Sequence, residues 1–325
     1  MSLTPSPFIS YQPAFQTILG PNPTLDLALE NPSYPFAHEA GVYTPTRFQT
    51  ASGESKVQIS KVTRHGSTTY TQEELSPSPA IPNANGGTNY QDGILFCSQG
   101  SMDVPSALVL MSAAPPYNTT TILDSFYGRQ FNSINDVVIH SDGSIWFTDP
   151  TYGYESGIRP APELPSQVYR FDPATGSLRV VADGFSRPNG IAFSPDESVL
   201  YVTDTQAFNG NGSMSLNQAA TVYAFDVQSY SSEPFLVNRR VFAMTNAGIP
   251  DGIKVDMDGN VYSACQYGDG VEVWSPGGVL LGKILIESGP ANFFFAQPGE
   301  LFSLSEERIY RVGLSSSTRG ALLRL

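Results

Sequence analysis

Short apolar runs rich in Val, Ile, Tyr and Phe, bounded by Gly, Pro, Asp and Asn, recur along the whole chain, whereas amphipathic helical spacing is scarce. One kind of run reads VQISKV from Val57, LVLMSA from Leu108, VYRFDP from Val168, VYAFDV from Val222, VEVWSP from Val271 and IYRVGL from Ile309. A second unit is a strand, an Asp-Gly-like turn and another strand, as in QDGILFCSQ, SDGSIWFTD, PDESVLYVTD, MDGNVYSAC and QPGELFSLS. With a weaker strand between these units, the pattern predicts about four strands per repeat at a period of roughly 40 to 60 residues. Repeated six times, it predicts an all-β chain folded as a six-bladed β-propeller with four-stranded blades, whose radial repetition protects the sheet edges. A β-sandwich of this length leaves the regular period unexplained.

The period runs without a break, so the 325 residues read as one domain, 1–325, long enough for a sizeable core. Residues 1–35 form an N-terminal segment expected to lend a strand to the last blade and help close the ring. A monomer is the default for a closed ring.

Charge narrows the partners. With 17 Lys and Arg against 30 Asp and Glu, the formal net charge is −13, which repels nucleic acid and anionic membrane surfaces and leaves a small molecule as the expected partner. No apolar run has the 18 or so residues of a membrane span, and MSLTPSPFISYQPAFQ lacks the basic start and apolar stretch of a secretory signal. The expected location is cytoplasmic, or extracellular if a leader has been removed. The two cysteines, Cys97 and Cys265, lie in apolar stretches without metal spacing and read as buried free thiols. The short sequons at Asn118 and Asn211 matter only in a secreted protein.

Aligning the repeats on their turns brings out the candidate chemistry. Asp92, Asp142, Asp196 and Asp258 start the turns, and seven residues before each stand Asn85, Asn135, Asn189 and Asp251. One reading makes these caps of the innermost strands. The other uses the ring: equivalent positions converge on the central channel, and Glu39 in AHEAGVY precedes a strand in the same way. Two carboxylates neutralise a divalent charge that amide oxygens help to solvate, so the set suits one hard divalent cation, Ca2+ first, with Mg2+ or Mn2+ fitting the same donors. Neither thiolates nor clustered histidines argue for zinc.

The stretches HEAGVY, NGGTNY, YGRQFNSINDVVIHSDGSIWFTDPTYGY, VYRFDPATG, VADGFSRPNGIAFSPD and GIPDGIKVD resemble the SMP-30/gluconolactonase/regucalcin-like family of propellers, and most closely its fungal lactonohydrolase branch. The resemblance covers the chain from about residue 35 to its end. It implies a metal held by Glu39, Asn135, Asn189 and Asp251, and a lactonase in which the metal polarises the carbonyl while a carboxylate activates the attacking water. Asp251 is the first candidate for that base and Asp136 the second, although a turn or supporting role fits Asp136 equally well. Relatives of the paraoxonase kind use a histidine pair near the metal, whereas Asn85 stands at the second axial position here, which argues against a histidine base. His38, His65 and His140 read as structural, with His65 kept as the substrate-binding candidate to test.

The loops joining second and third strands return to the metal face, and the two from Thr148 and Thr203 are long. Tyr152, Tyr154, Arg159, Phe208 and Met214 are therefore candidates to roof the pocket, with Asn85 and Asn292 as further substrate contacts; the offset of Asn292 from its turn differs by one residue. Two alternatives share the scaffold: a non-hydrolytic enzyme of secondary metabolism, performing cyclisation or a pericyclic reaction, and a non-enzymatic Ca-binding propeller.

Overall fold

The structure, a computed structural model, describes residues 6–44, 47–51, 57–208, 213–215 and 217–323. Asn211 lies outside them. Antiparallel sheets follow one another in sequence, each starting with its innermost strand. The first comprises Glu39–Thr44, Arg47–Ala51, Ile59–His65 and Thr69–Leu75. The second comprises Ala84–Tyr90, Gly93–Ser98, Ala107–Ser112 and Thr119–Leu123. Val137–Ile139, Ile145–Asp149, Gln167–Asp172 and Ser177–Ala182 form the next, followed by Pro188–Phe193, Val199–Asp204, Thr221–Tyr230 and Glu233–Met244. Ile249–Val255, Val261–Gln266, Gly270–Trp274 and Leu280–Leu285 come next, and Asn292–Phe295, Glu300–Ser305 and Arg308–Gly313 end the series. Each innermost strand touches those of the two neighbouring sheets, and 292–295 touches 39–44, so the arrangement is a closed β-propeller.

The expectation of six blades with four strands each is corrected. Five of the sheets are four-stranded blades; the remaining sheet has five strands, because Phe8–Ser10 pairs antiparallel with Leu280–Leu285. The physical reason is an open outer edge, whose free N–H and C=O groups accept another strand. The helix that follows, Pro13–Leu19, buries Phe15, Ile18 and Leu19 against the same blade. A Cβ at position 282 would lie 2.2 Å from the Phe15 ring, so Gly282 is what lets Phe15 in. Thr24–Glu30 then pairs with Arg308–Gly313, so one sheet contains strands from both ends of the chain. The expected metal site on the axis is not shown: among the described residues no group of three or more His, Cys, Asp or Glu is arranged to hold an ion, and the axial set is mixed, amides beside carboxylates.

The core is divided among the clefts between neighbouring sheets, which is how a propeller buries both faces of each blade. Phe131, Phe147 and Tyr169 interlock in one cleft, Trp146 and Phe193 in the next, and Tyr262, Phe293 and Phe295 in another. Truncating such a ring to Ala costs about 3 to 5 kcal/mol. Cys97 and Cys265 are buried free thiols. The turns between first and second strands are held locally: Asp142 Oδ1 accepts the Ser144 N–H at 2.8 Å and Asp196 Oδ1 that of Ser198 at 3.2 Å.

Candidate functional site

Four of the innermost strands carry a bulge at or just after their axial residue, with register shifts between Glu39 and Val42, Ala84 and Gly87, Pro188 and Ile191, and Pro250 and Ile253. The bulge turns the axial side chain toward the channel. It also brings the following residue against the next blade. A Cβ at Gly86 would lie 2.4 Å from the Asn135 carbonyl oxygen, one at Gly190 2.5 Å from that of Asp251, and one at Gly252 2.2 Å from Asn292 Oδ1. Asn-Gly and Asp-Gly thus recur because the first residue faces the channel and the second leaves room for the neighbour.

Second strands ending in Thr-Asp hold these axial residues in place. Thr148 Oγ1 accepts the Asp136 N–H at 3.2 Å and donates to the Asn189 carbonyl, one blade on, at 2.6 Å. Thr203 Oγ1 accepts the Gly190 N–H at 2.7 Å and donates to the Asp251 carbonyl at 3.0 Å. Asn135, Asn189 and Asp251 are therefore linked in series by hydroxyls. The adjoining carboxylates grip the segments leading into the same strands. Asp149 accepts the N–H groups of Asn132 and Ser133 at 3.0 and 2.8 Å, and Asp204 those of Ser186 and Arg187 at 3.0 and 2.9 Å.

At the end of the channel where these residues converge lies a cavity of about 790 Å3, lined by Glu39, Asn85, Asn135, Asn189 and Asp251, with Tyr152 and Phe208 from the two long loops. Asp136 and Asn292 are buried but do not line it. Both stand at the position that glycine fills in other blades. Asp136 accepts the Val137 and Ile191 N–H groups at 2.9 and 3.3 Å, while Asn292 Nδ2 donates to Glu39 Oε2 at 2.6 Å. His65 is exposed at the end of a third strand, against Thr71 Oγ1, away from the cavity. Tyr154, 52% exposed, points outward from its short helix. Arg159 is buried beside the wall, donating to the Ser101, Val104, Phe131 and Asn132 carbonyls and to Gln130 Oε1. Met214 packs against Phe208 and, through it, backs the cavity wall.

Sequence reasoning passed over Gln99, Ser101, Met102 and Asp103 in the short loop after Gly93–Ser98, and Gln266 and Tyr267 where Val261–Gln266 ends and its loop begins. The topological signal was present, since both are second-to-third-strand loops like the two long ones; length alone hid them.

Burial dominates the electrostatics. It pushes Glu39 up to about 7, with the neighbouring His38 opposing and Asp136 adding to the rise. Asp251 is held well above the usual carboxylate range by burial and then by Glu39. Asp136 is raised by burial against the pull of Lys254. For His38 burial acts downward, but the carboxylate of Glu306, 2.7 Å away, outweighs it and raises the imidazole to about 10. A cluster of acids that resists ionisation is one that a cation would relieve. The donor set fits such an ion: Asn135 Oδ1 and Asp251 Oδ1 are buried without a hydrogen-bond partner, an amide and a carboxylate oxygen of the hard kind that Ca2+ or Mg2+ prefers.

Residues 55–304 match the SMP-30/Gluconolactonase/LRE-like region. The chain is 32% identical to the lactonohydrolase oryL of Aspergillus oryzae over 94% of its own length and 74% of that protein. It is also 32% identical to the gluconolactonase of Zymomonas mobilis, over 59% of its own length and 53% of that one. Among solved structures, a gluconolactonase from Xanthomonas campestris superposes with a TM-score of 0.74 at 26% identity, covering 95% of both chains. The chain belongs to the SMP-30/gluconolactonase/LRE-like family.

Proposed function

We propose that this member of the SMP-30/gluconolactonase/LRE-like family is a lactone hydrolase whose cavity works with one divalent cation, Ca2+ in preference to Mg2+ or Mn2+, on a small-molecule substrate. The observation that carries the reading is the pair of unpartnered buried oxygens, Asn135 Oδ1 and Asp251 Oδ1, on the wall of a cavity that also exposes Glu39 and Asn189. Those four side chains would hold the cation, which when bound supplies Lewis-acid polarisation of the lactone carbonyl.

The remaining work falls to the chain's own groups. A water attacking the carbonyl has to lose a proton, and Asp251 is the acceptor, because it is a carboxylate lining the cavity beside the residues that would hold the cation. Asp136 is a positioning residue, because both its oxygens are engaged by backbone N–H groups behind the wall. The Tyr152 hydroxyl, fixed by Thr205 and Asn189 and held far from ionisation by burial, is a neutral donor for the substrate, and Asn85 offers a second polar contact.

The reading is tested by measuring divalent ion content of the purified protein and assaying δ-gluconolactone and other lactones before and after chelation. Hydrolysis that disappears with the ion and returns on adding Ca2+ supports it. A retained ion with no lactone opened would sink it.

A further inference from the structure

We infer that the lactone taken by this site carries an extended apolar substituent, which lies on a platform made by Phe208 and Tyr267; this inference rests on the lactonase reading above. The cavity is divided by burial. Its polar members, Glu39, Asn85, Asn135, Asn189 and Asp251, are all at most 8% exposed and form the floor. Toward solvent the lining gains Met102, Ile158, Phe208 and Tyr267, beside Asp103 and Ser156; Met102 and Tyr267 are 62% and 57% exposed.

Two large apolar side chains that the described residues leave open to water at the mouth of a polar site gain burial against a ligand. The rings of Phe208 and Tyr267 come from loops of neighbouring sheets and stack at 5.4 Å with an interplanar angle of 12°. The surface is thus formed before anything binds. Tyr267 is also held at φ +57°, a left-handed conformation that is disfavoured for a bulky residue and comes at lower cost for Asn or Gly. Backbone strain retained to present an aromatic ring points to use of the ring.

Among the described residues no Lys or Arg lines the cavity; Glu39, Asp103 and Asp251 do, with His38, whose imidazole is paired with Glu306. Arg159 and Arg187, the guanidinium groups behind the two loops, are spent on backbone carbonyls and on Glu155. An apolar tail on the substrate meets the platform.

The experiment compares δ-valerolactone, δ-decalactone and δ-gluconolactone with the Ca2+-loaded protein and with Tyr267→Asn, which keeps a residue tolerant of the left-handed conformation and removes the ring. The first two share a ring and differ only in the tail. The expected result is a kcat/KM for decalactone at least about tenfold above that for valerolactone, the size of effect that hydrophobic complementarity supplies. In Tyr267→Asn that ratio falls toward one, through KM, with thermal stability retained. Lactones opened with a ratio near one, or with gluconolactone preferred, and no change of preference in Tyr267→Asn, would overturn the platform while leaving the lactonase standing. If no lactone is opened, both fall.

Discussion

The hydroxyl of Thr148 donates a hydrogen bond of 2.6 Å to the backbone carbonyl of Asn189 in the next blade. Because Thr148 also takes the Asp136 N–H, and Thr203 repeats the arrangement one blade on with Asp251, the spacing of three axial residues is set by side chains that never reach the cavity. Thr148→Val is expected to leave two buried backbone groups unpaired, lowering stability by about 1 to 3 kcal/mol and weakening Ca2+ binding. Thr148→Ser restores both. Calorimetric titration beside thermal unfolding checks this, and a Val variant that is less stable yet binds Ca2+ as the wild type does would confine Thr148 to a purely structural role.

Asp251→Asn is expected to retain the fold and to lower kcat by about 100-fold or more, the range removed with a general base. Glu39→Gln is expected chiefly to weaken Ca2+, since Glu39 carries one of the two carboxylates proposed to neutralise the ion. Steady-state kinetics at saturating Ca2+ separates the two. Full turnover in Asp251→Asn excludes it as the base.

Gly190→Ala is expected to destabilise by about 2 kcal/mol or more, as overpacking against a rigid backbone does, because its Cβ would lie 2.5 Å from the Asp251 carbonyl oxygen. Gly277, outside the left-handed region and with only Ser275 Oγ at 3.8 Å from the equivalent atom, is the control for crowding. Denaturant unfolding of the Gly190 variant against wild type reads the cost directly.

Asp149 predicts a pH dependence. Burial lifts it to about 7 despite the two N–H groups it accepts, so the folded state holds its proton more tightly than the unfolded state does. Stability from this group is therefore full below about pH 4 and lost as pH rises toward 7, with a slope of up to about 1.4 kcal/mol per pH unit for one proton. Asp149→Asn removes that share of the slope and, at pH 5, lowers stability, because one N–H loses its acceptor. Urea unfolding between pH 4 and 8 would show an unchanged slope if Asp149 were ionised throughout.

Repetition was legible in the chain because it is local: strand alternation, Asp turns and the residue seven positions before them are written in short windows. Those windows determined the all-β reading, the propeller and the equivalence of Asn85, Asn135, Asn189 and Asp251. Which candidates share a cavity depended on ring closure, where a shift of one residue turns a side chain away. Asp136 and Asn292 sit one position past the axial one and so lie behind the wall; His65 and Tyr154 face solvent; Arg159 is absorbed by carbonyls contributed from two other segments. The fifth strand of one blade, and the meeting of Phe208 with Tyr267, likewise join residues far apart in sequence. Long-range contacts of this kind are decided by which edges and faces are left open once the blades have assembled, and no short window contains that information.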